Sequence, residues 1–80
     1  MNTSTLKPSL RQNLAENVRH FRTLLGISQE GLAELAGFHR TYVSQVERCV
    51  ANVTIDNIEK LAHALNVKPA ALLELPIIPG

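Results

Sequence analysis

Tryptophan is absent from this chain, tyrosine occurs once and phenylalanine twice. Sheets favour aromatic and β-branched residues. Here the 45% of residues that are hydrophobic are mainly Leu, Ala, Val and Ile, a choice that suits short helices packed together. Cysteine occurs once, as Cys49, which excludes an internal disulfide and a cysteine metal cluster. Cys49 therefore reads as a small apolar filler or loop residue. No apolar run approaches the ~20 residues that cross a bilayer. Leu6 is followed at once by Lys7 and Pro8, which is not the pattern of a secretory leader, so the expected location is the cytoplasm, away from any membrane. A chain of 80 residues has room for one domain with a small core. Its net charge of +1 is too small to mark a polyanion binder by itself. Any nucleic-acid binding has to come from charge gathered on one face.

What is present is helical periodicity with clear punctuation. Residues 1–8 are polar and aperiodic and read as a flexible N-terminal arm. Ser9 with Gln12 three residues later is a capping-box pattern, after which Leu14, Val18, Phe21 and Leu25 form one apolar stripe. Gly26 ends that helix. Ser28 caps a second, whose Leu32, Ala33, Leu35 and Ala36 are expected to face inward, and Gly37 stops it. A third runs from Arg40 to about Arg48, with Tyr42, Val43 and Val46 at the inward spacing. Cys49 to Val53 is a loop. Thr54 caps a fourth helix, with Asp56 at the positive end of its dipole. Its expected buried face is Ile55, Ile58, Leu61, Ala62 and Leu65, and Asn66 terminates it. Pro69 opens a last short helix through Leu73, and Pro76 and Pro79 end regular structure. Helices this short are marginal alone, so residues 9–75 are expected to form one all-α, five-helix bundle followed by a tail over 76–80.

Catalytic patterns are missing. His20, His39 and His63 lack ligand spacing, so no metal site is expected. No glycine-rich phosphate loop is present, and no nucleophile has an evident base. Glu30 and Glu34, one helical turn apart, read as a solvated face. The chain is not expected to be an enzyme, nor to need a cofactor.

The informative stretch runs from Gln29 to Arg48: two short helices joined by a tight turn at Gly37, with small Ala33 where they must approach. That is the helix-turn-helix arrangement, whose second helix lies in the major groove. The run Leu25-Gly26-Ile27-Ser28-Gln29-Glu30, the Leu32-Ala33-x-x-Ala36-Gly37 spacing, Thr41-Tyr42-Val43-Ser44 and Val46-Glu47-Arg48 resemble the phage-repressor and Cro-type (XRE-like) helix-turn-helix family. Within that family the stand-alone controller proteins of restriction–modification systems look closest. The resemblance covers about Leu14 to Leu73 and implies a lambda-repressor-like bundle.

The resemblance also implies roles. Arg40, Thr41, Ser44 and Gln45 would form the base-reading face of the recognition helix. An Arg at its N-terminus can bond guanine O6 and N7 bidentately, Gln45 can pair with adenine or a phosphate, and Thr41 offers a methyl to thymine. Gln29 would hold a phosphate at the start of the second helix, and His39, Arg48 and Asn52 lie where the family touches the backbone. Arg22 and Glu47 occupy the positions of a partly buried ion pair tying the first helix to the recognition helix. Tyr42, spaced with Val43 and Val46, reads as core rather than as a base-stacking group. Four departures stand out. Cys49 replaces the glycine often found after Glu-Arg, Val50 and Ala51 stand where basic residues are common, Gly31 sits inside a helix, and His39 replaces the usual Ser or Thr cap.

One such module touches few base pairs, and tight specific binding usually needs two. The expected protein is a sequence-specific transcriptional regulator, an activator or a repressor, reading double-stranded DNA at a roughly palindromic operator. It would act as a homodimer through the fourth and fifth helices and the apolar tail Leu75-Pro76-Ile77-Ile78. Glu34 and its neighbours could touch RNA polymerase. Two alternatives remain open at this point: an antitoxin holding a toxin partner, and a protein-interaction module that keeps the fold but has lost DNA binding.

Overall fold

The structure, a computed structural model, describes residues 9–76; the expected arm over 1–8 and the tail residues 77–80 lie outside them. Four α-helices follow one another: α1 (Ser9–Leu24), α2 (Gln29–Ala36), α3 (Arg40–Glu47) and α4 (Ile55–Leu65). The expected fifth helix is a closing 3₁₀ turn, Pro69–Leu72. Among the described residues there is no strand, and no helix is long and apolar enough to cross a membrane.

The helix starts follow from side-chain chemistry. The Ser28 hydroxyl accepts from the Gly31 amide at 2.9 Å, and the Thr54 hydroxyl from the Asn57 amide at 3.1 Å. Each satisfies an amide that a helix N-terminus leaves without an intrahelical partner. A Cβ at position 31 would lie 3.3 Å from the capping Ser28 oxygen, so Gly31 leaves that hydroxyl room. His39 precedes α3 without a side-chain cap.

All four helices end in the same way. Each terminates on a left-handed residue: Gly26 (φ 69°), Gly37 (φ 80°), Cys49 (φ 65°) and Asn66 (φ 60°). The amide after it closes back on the last turn, as in Ile27 to Arg22 O, Phe38 to Ala33 O, Val50 to Gln45 O and Val67 to Ala62 O. These are Schellman motifs. Glycine and asparagine adopt that conformation readily, whereas a cysteine there carries the Cβ penalty. Cys49 is thus a helix terminator, occupying a position that glycine would fill without strain.

The core is formed by Leu14, Val18, Leu32, Ala33, Val43, Val46, Leu61, Ala62, Leu65 and Leu72, with Ala51 from the loop. Three residues expected inside are on the surface instead. Leu25 (49% exposed) lies beyond the last turn of α1, and Leu35 (63%) lies on a two-turn helix whose Leu32 and Ala33 take the buried positions. Ile55 (78%) is the first residue of α4; the inward face of that helix begins one turn later, at the half-buried Ile58. Tyr42 is half-buried against the core, as its spacing predicts. Its ring centroid lies 4.7 Å from that of Phe38, and its hydroxyl accepts from Asn57 Nδ2 at 3.0 Å.

The closing turn is held by two asparagines one turn apart on α1. Asn13 Nδ2 donates to Leu73 O at 3.2 Å, while Asn17 Nδ2 donates to Leu72 O at 3.0 Å and Glu74 O at 2.8 Å. Asn17 is buried, and these contacts supply donors to carbonyls that a helix end leaves without helical partners.

Candidate nucleic-acid interface

The turn at Gly37 sets α3 against α2, with Ala33 buried at their junction. Val43 and Val46 anchor α3 in the core. Residues on its remaining faces are therefore presented outward, and Arg40, Thr41, Ser44 and Arg48 line one shallow concavity together with Gln29 from α2. Arg40, Thr41 and Arg48 are exposed, while Ser44, Gln45 and Gln29 are half-buried. Gln45 follows Thr41 by one helical turn and so extends that face. His39 is exposed and lines a neighbouring depression with Glu30, Glu34 and Arg40. Asn52 stands apart from this concavity, on the loop before α4, where its Oδ1 accepts from Arg11 Nη2.

One buried carboxylate braces the whole arrangement. The Glu47 side chain is fully buried at the end of α3. Arg22 meets it with one edge of its guanidinium, Nε donating to Oε2 at 2.6 Å and Nη2 to Oε1 at 3.0 Å. The remaining Nη1 donates to Ile27 O at 2.9 Å, in the α1–α2 connection. Gln29 Nε2 donates to Glu47 Oε1 at 3.1 Å, and Arg19 Nε reaches the same oxygen at 3.3 Å. Arg19 Nη2 also donates to the Glu47 carbonyl at 3.4 Å. Burial pushes the Glu47 carboxyl upward, but the Arg22, Gln29 and Arg19 donors outweigh it and hold the group below the ordinary glutamate value. The hydrogen bond to Glu47 in turn raises Arg22, against a smaller effect of burial. A bidentate, charge-assisted pair of this kind fixes geometry as well as contributing energy. It locks α1, the start of α2 and the end of α3 into one rigid corner.

Arg40 also has an acidic neighbour, Glu30, at 3.8 Å, but both side chains are 74% exposed. Such a surface pair is weak and screened by salt, so Arg40 remains free to leave it for another acceptor.

The concavity thus gathers Gln29, Arg40, Thr41, Ser44 and Arg48, and separates them from Asn52. Reading the sequence alone missed two arginines. Arg19 lies three residues before Arg22 on α1 and so shares its face, which was the available signal. Arg11 had none, because its partner Asn52 is 41 residues away.

A two-helix corner whose second helix offers polar and cationic groups outward, inside a four-helix bundle, defines a helix-turn-helix protein. The chain belongs to the Helix-turn-helix family HTH_3, whose model matches residues 18–72. It is 48% identical over 64 residues to the control protein C.SmaI of Serratia marcescens, covering 80% of this chain and 76% of that one. Among solved structures it resembles a hypothetical transcription factor, NHTF, from Neisseria, with a TM-score of 0.82 and 52% identity over 84% of this chain and 77% of that one. It also resembles the restriction–modification controller protein C.AhdI from Aeromonas hydrophila, with a TM-score of 0.75 and 44% identity over 80% and 93% of the two chains. The chain is accordingly a DNA-binding transcriptional regulator of the helix-turn-helix class, and this is a family of regulators rather than enzymes.

Proposed function

We propose that this protein is a stand-alone controller that binds a roughly palindromic operator as a homodimer, with α3 of each copy in the major groove. The observation that carries this reading is the single concavity lined by Gln29, Arg40, Thr41, Ser44 and Arg48. It combines base-reading and phosphate-holding chemistry on one helix-turn-helix corner. Arg40, at the first position of α3, reaches a base edge and pairs with guanine; Thr41, Ser44 and Gln45 read the neighbouring base pairs. Each good bidentate contact discriminates by about 1–3 kcal/mol. Gln29 keeps the second hydrogen of its amide for a phosphate, and Arg48 and His39 contact the backbone on either side. Asn52 adds a phosphate contact away from the recognition face through its free amide hydrogens.

Dimerisation is supported by exposed apolar surface where the helices end. Ile55 and Leu75 are 78% and 83% exposed, and Ile55, Ile58 and Leu73 share an apolar groove with Leu10 and Leu14. A second copy laid against the start of α4 and the closing turn covers this surface and sets two α3 helices for half-sites about one helical turn apart. The similarity to proteins named as controllers supports the regulatory role.

The test is selection of bound sequences from a pool of random duplex DNA. The expected product is a pseudo-palindrome with half-sites spaced by about 10 base pairs. An unenriched pool at modest salt would refute sequence-specific binding, and a single unpaired half-site would refute the dimer.

A further inference from the structure

The corner at Glu47 holds more positive charge than it needs. Glu47 supplies one negative charge, and two guanidiniums rest on it. Arg22 is largely buried, with 15% of its side chain exposed, and its short two-pronged contact balances the charge of the carboxylate. Arg19 sits farther off, at 3.3 Å, with 58% of its side chain exposed. One carboxylate cannot neutralise two arginines, so a net positive charge remains at the surface end of the cluster. A guanidinium carries five N–H donors. Arg19 directs Nε and Nη2 at Glu47, which leaves most of its donors uncommitted.

Where that surplus charge lies is set by Glu47 Oε1, the atom on which Arg19 and Gln29 converge, at 3.3 and 3.1 Å. Their head groups are therefore within two hydrogen-bond lengths of each other. Gln29 in turn lines the concavity of the recognition helix. An exposed cation with free donors, beside an amide with a free N–H, suits the oxygens of a phosphodiester.

We propose that Arg19 contacts a DNA backbone phosphate alongside Gln29, with Glu47 as the residue that positions both. This rests on the DNA-binding reading above and extends it to α1, which that reading leaves without a DNA contact. Arg22 belongs to the fold, and Arg19, on the same carboxylate, belongs to the interface.

The experiment titrates the full chain, as wild type, Arg19→Ala and Arg19→Lys, against a selected operator duplex and a scrambled duplex over a series of salt concentrations. Thermal unfolding is followed in parallel. Arg19→Ala should weaken binding to both duplexes by a similar several-fold factor at low salt. It should also lower the slope of log K against log salt by about one, the signature of one lost phosphate contact. Arg19→Lys should restore the slope, and the melting temperature of Arg19→Ala should stay near that of wild type. An unchanged slope in Arg19→Ala overturns the proposal while leaving DNA binding intact, and so does a loss of stability as large as that of Arg22→Ala. Failure of the wild type to bind either duplex overturns both this proposal and the reading beneath it.

Discussion

Gln29, the first residue of α2, and Glu47, the last of α3, are joined by a hydrogen bond of 3.1 Å across the helix-turn-helix corner. The same carboxylate is gripped by Arg22 from α1. The start of one helix and the end of the next are therefore fixed to a third element by a single buried group. The recognition helix presents a preset surface because its far end cannot pivot without breaking that pair.

Breaking the pair should be costly. Arg22→Ala leaves a buried carboxylate with only the longer contacts of Arg19 and Gln29, and removing one partner of a buried pair typically costs about 3–5 kcal/mol. Urea unfolding should show the midpoint falling with little change in slope. Arg19→Ala, at an exposed side chain, should cost less than about 1 kcal/mol. Equal losses in the two variants would contradict the division of roles between them.

Acid should act on the same group. The folded state holds Glu47 below the ordinary glutamate value, chiefly through Arg22 once the opposing effect of burial is met. The unfolded chain therefore binds a proton at a pH where the folded chain does not. This contribution to stability is complete above the ordinary value of about 4.3 and is lost as pH falls below it through the depressed folded value. In Glu47→Gln, stability measured between pH 7 and pH 3 should start lower and decline less steeply than in wild type.

Cys49 offers a gain. Its φ of 65° terminates α3 in the left-handed region at a helix end otherwise built like those at Gly26 and Gly37. Such a conformation costs a non-glycine residue about 1–2 kcal/mol, part of which is offset by the greater freedom of glycine in the unfolded chain. Cys49→Gly should raise stability by about 1 kcal/mol, read as a higher melting temperature, and leave DNA affinity unchanged. A lower melting temperature would show that the Cys49 side chain contributes packing greater than the strain.

Asn17 should matter to stability although it is polar. It is 3% exposed and donates to two carbonyls at the chain's closing turn. Asn17→Ala leaves the buried Leu72 carbonyl unsatisfied, at a cost of about 1–3 kcal/mol. Amide hydrogen exchange should show the loosening first in residues 69–73.

The fold was legible in the sequence largely through its punctuation. Ser28 and Thr54 start helices by capping them, and Gly26, Gly37 and Asn66 end them in the left-handed conformation that their residue types favour. Those signals are local, and a single sequence carries them. Burial was less legible at helix ends. Ile55 has the right residue type for a core, but it precedes the turn of α4 that reaches the bundle, and Leu25 follows the last turn of α1. Asn13 and Asn17 read as ordinary polar helix residues because the carbonyls they serve lie far along the chain, at Leu72 to Glu74. The candidate site was legible where one helix carries it, from Arg40 to Arg48. It was illegible where α1 contributes, since Arg19 joins the corner only once α1 and α3 are packed together.

Arg40 on α3 is proposed to read a base. Binding of wild type and Arg40→Ala to the selected operator, and to operators changed one base pair at a time, tests it most directly. Arg40→Ala should lose about 1–3 kcal/mol on the operator and become indifferent to the base pair at one position in each half-site, while keeping its preferences elsewhere. If Arg40→Ala binds as tightly as wild type and discriminates every position as sharply, α3 does not read DNA through Arg40.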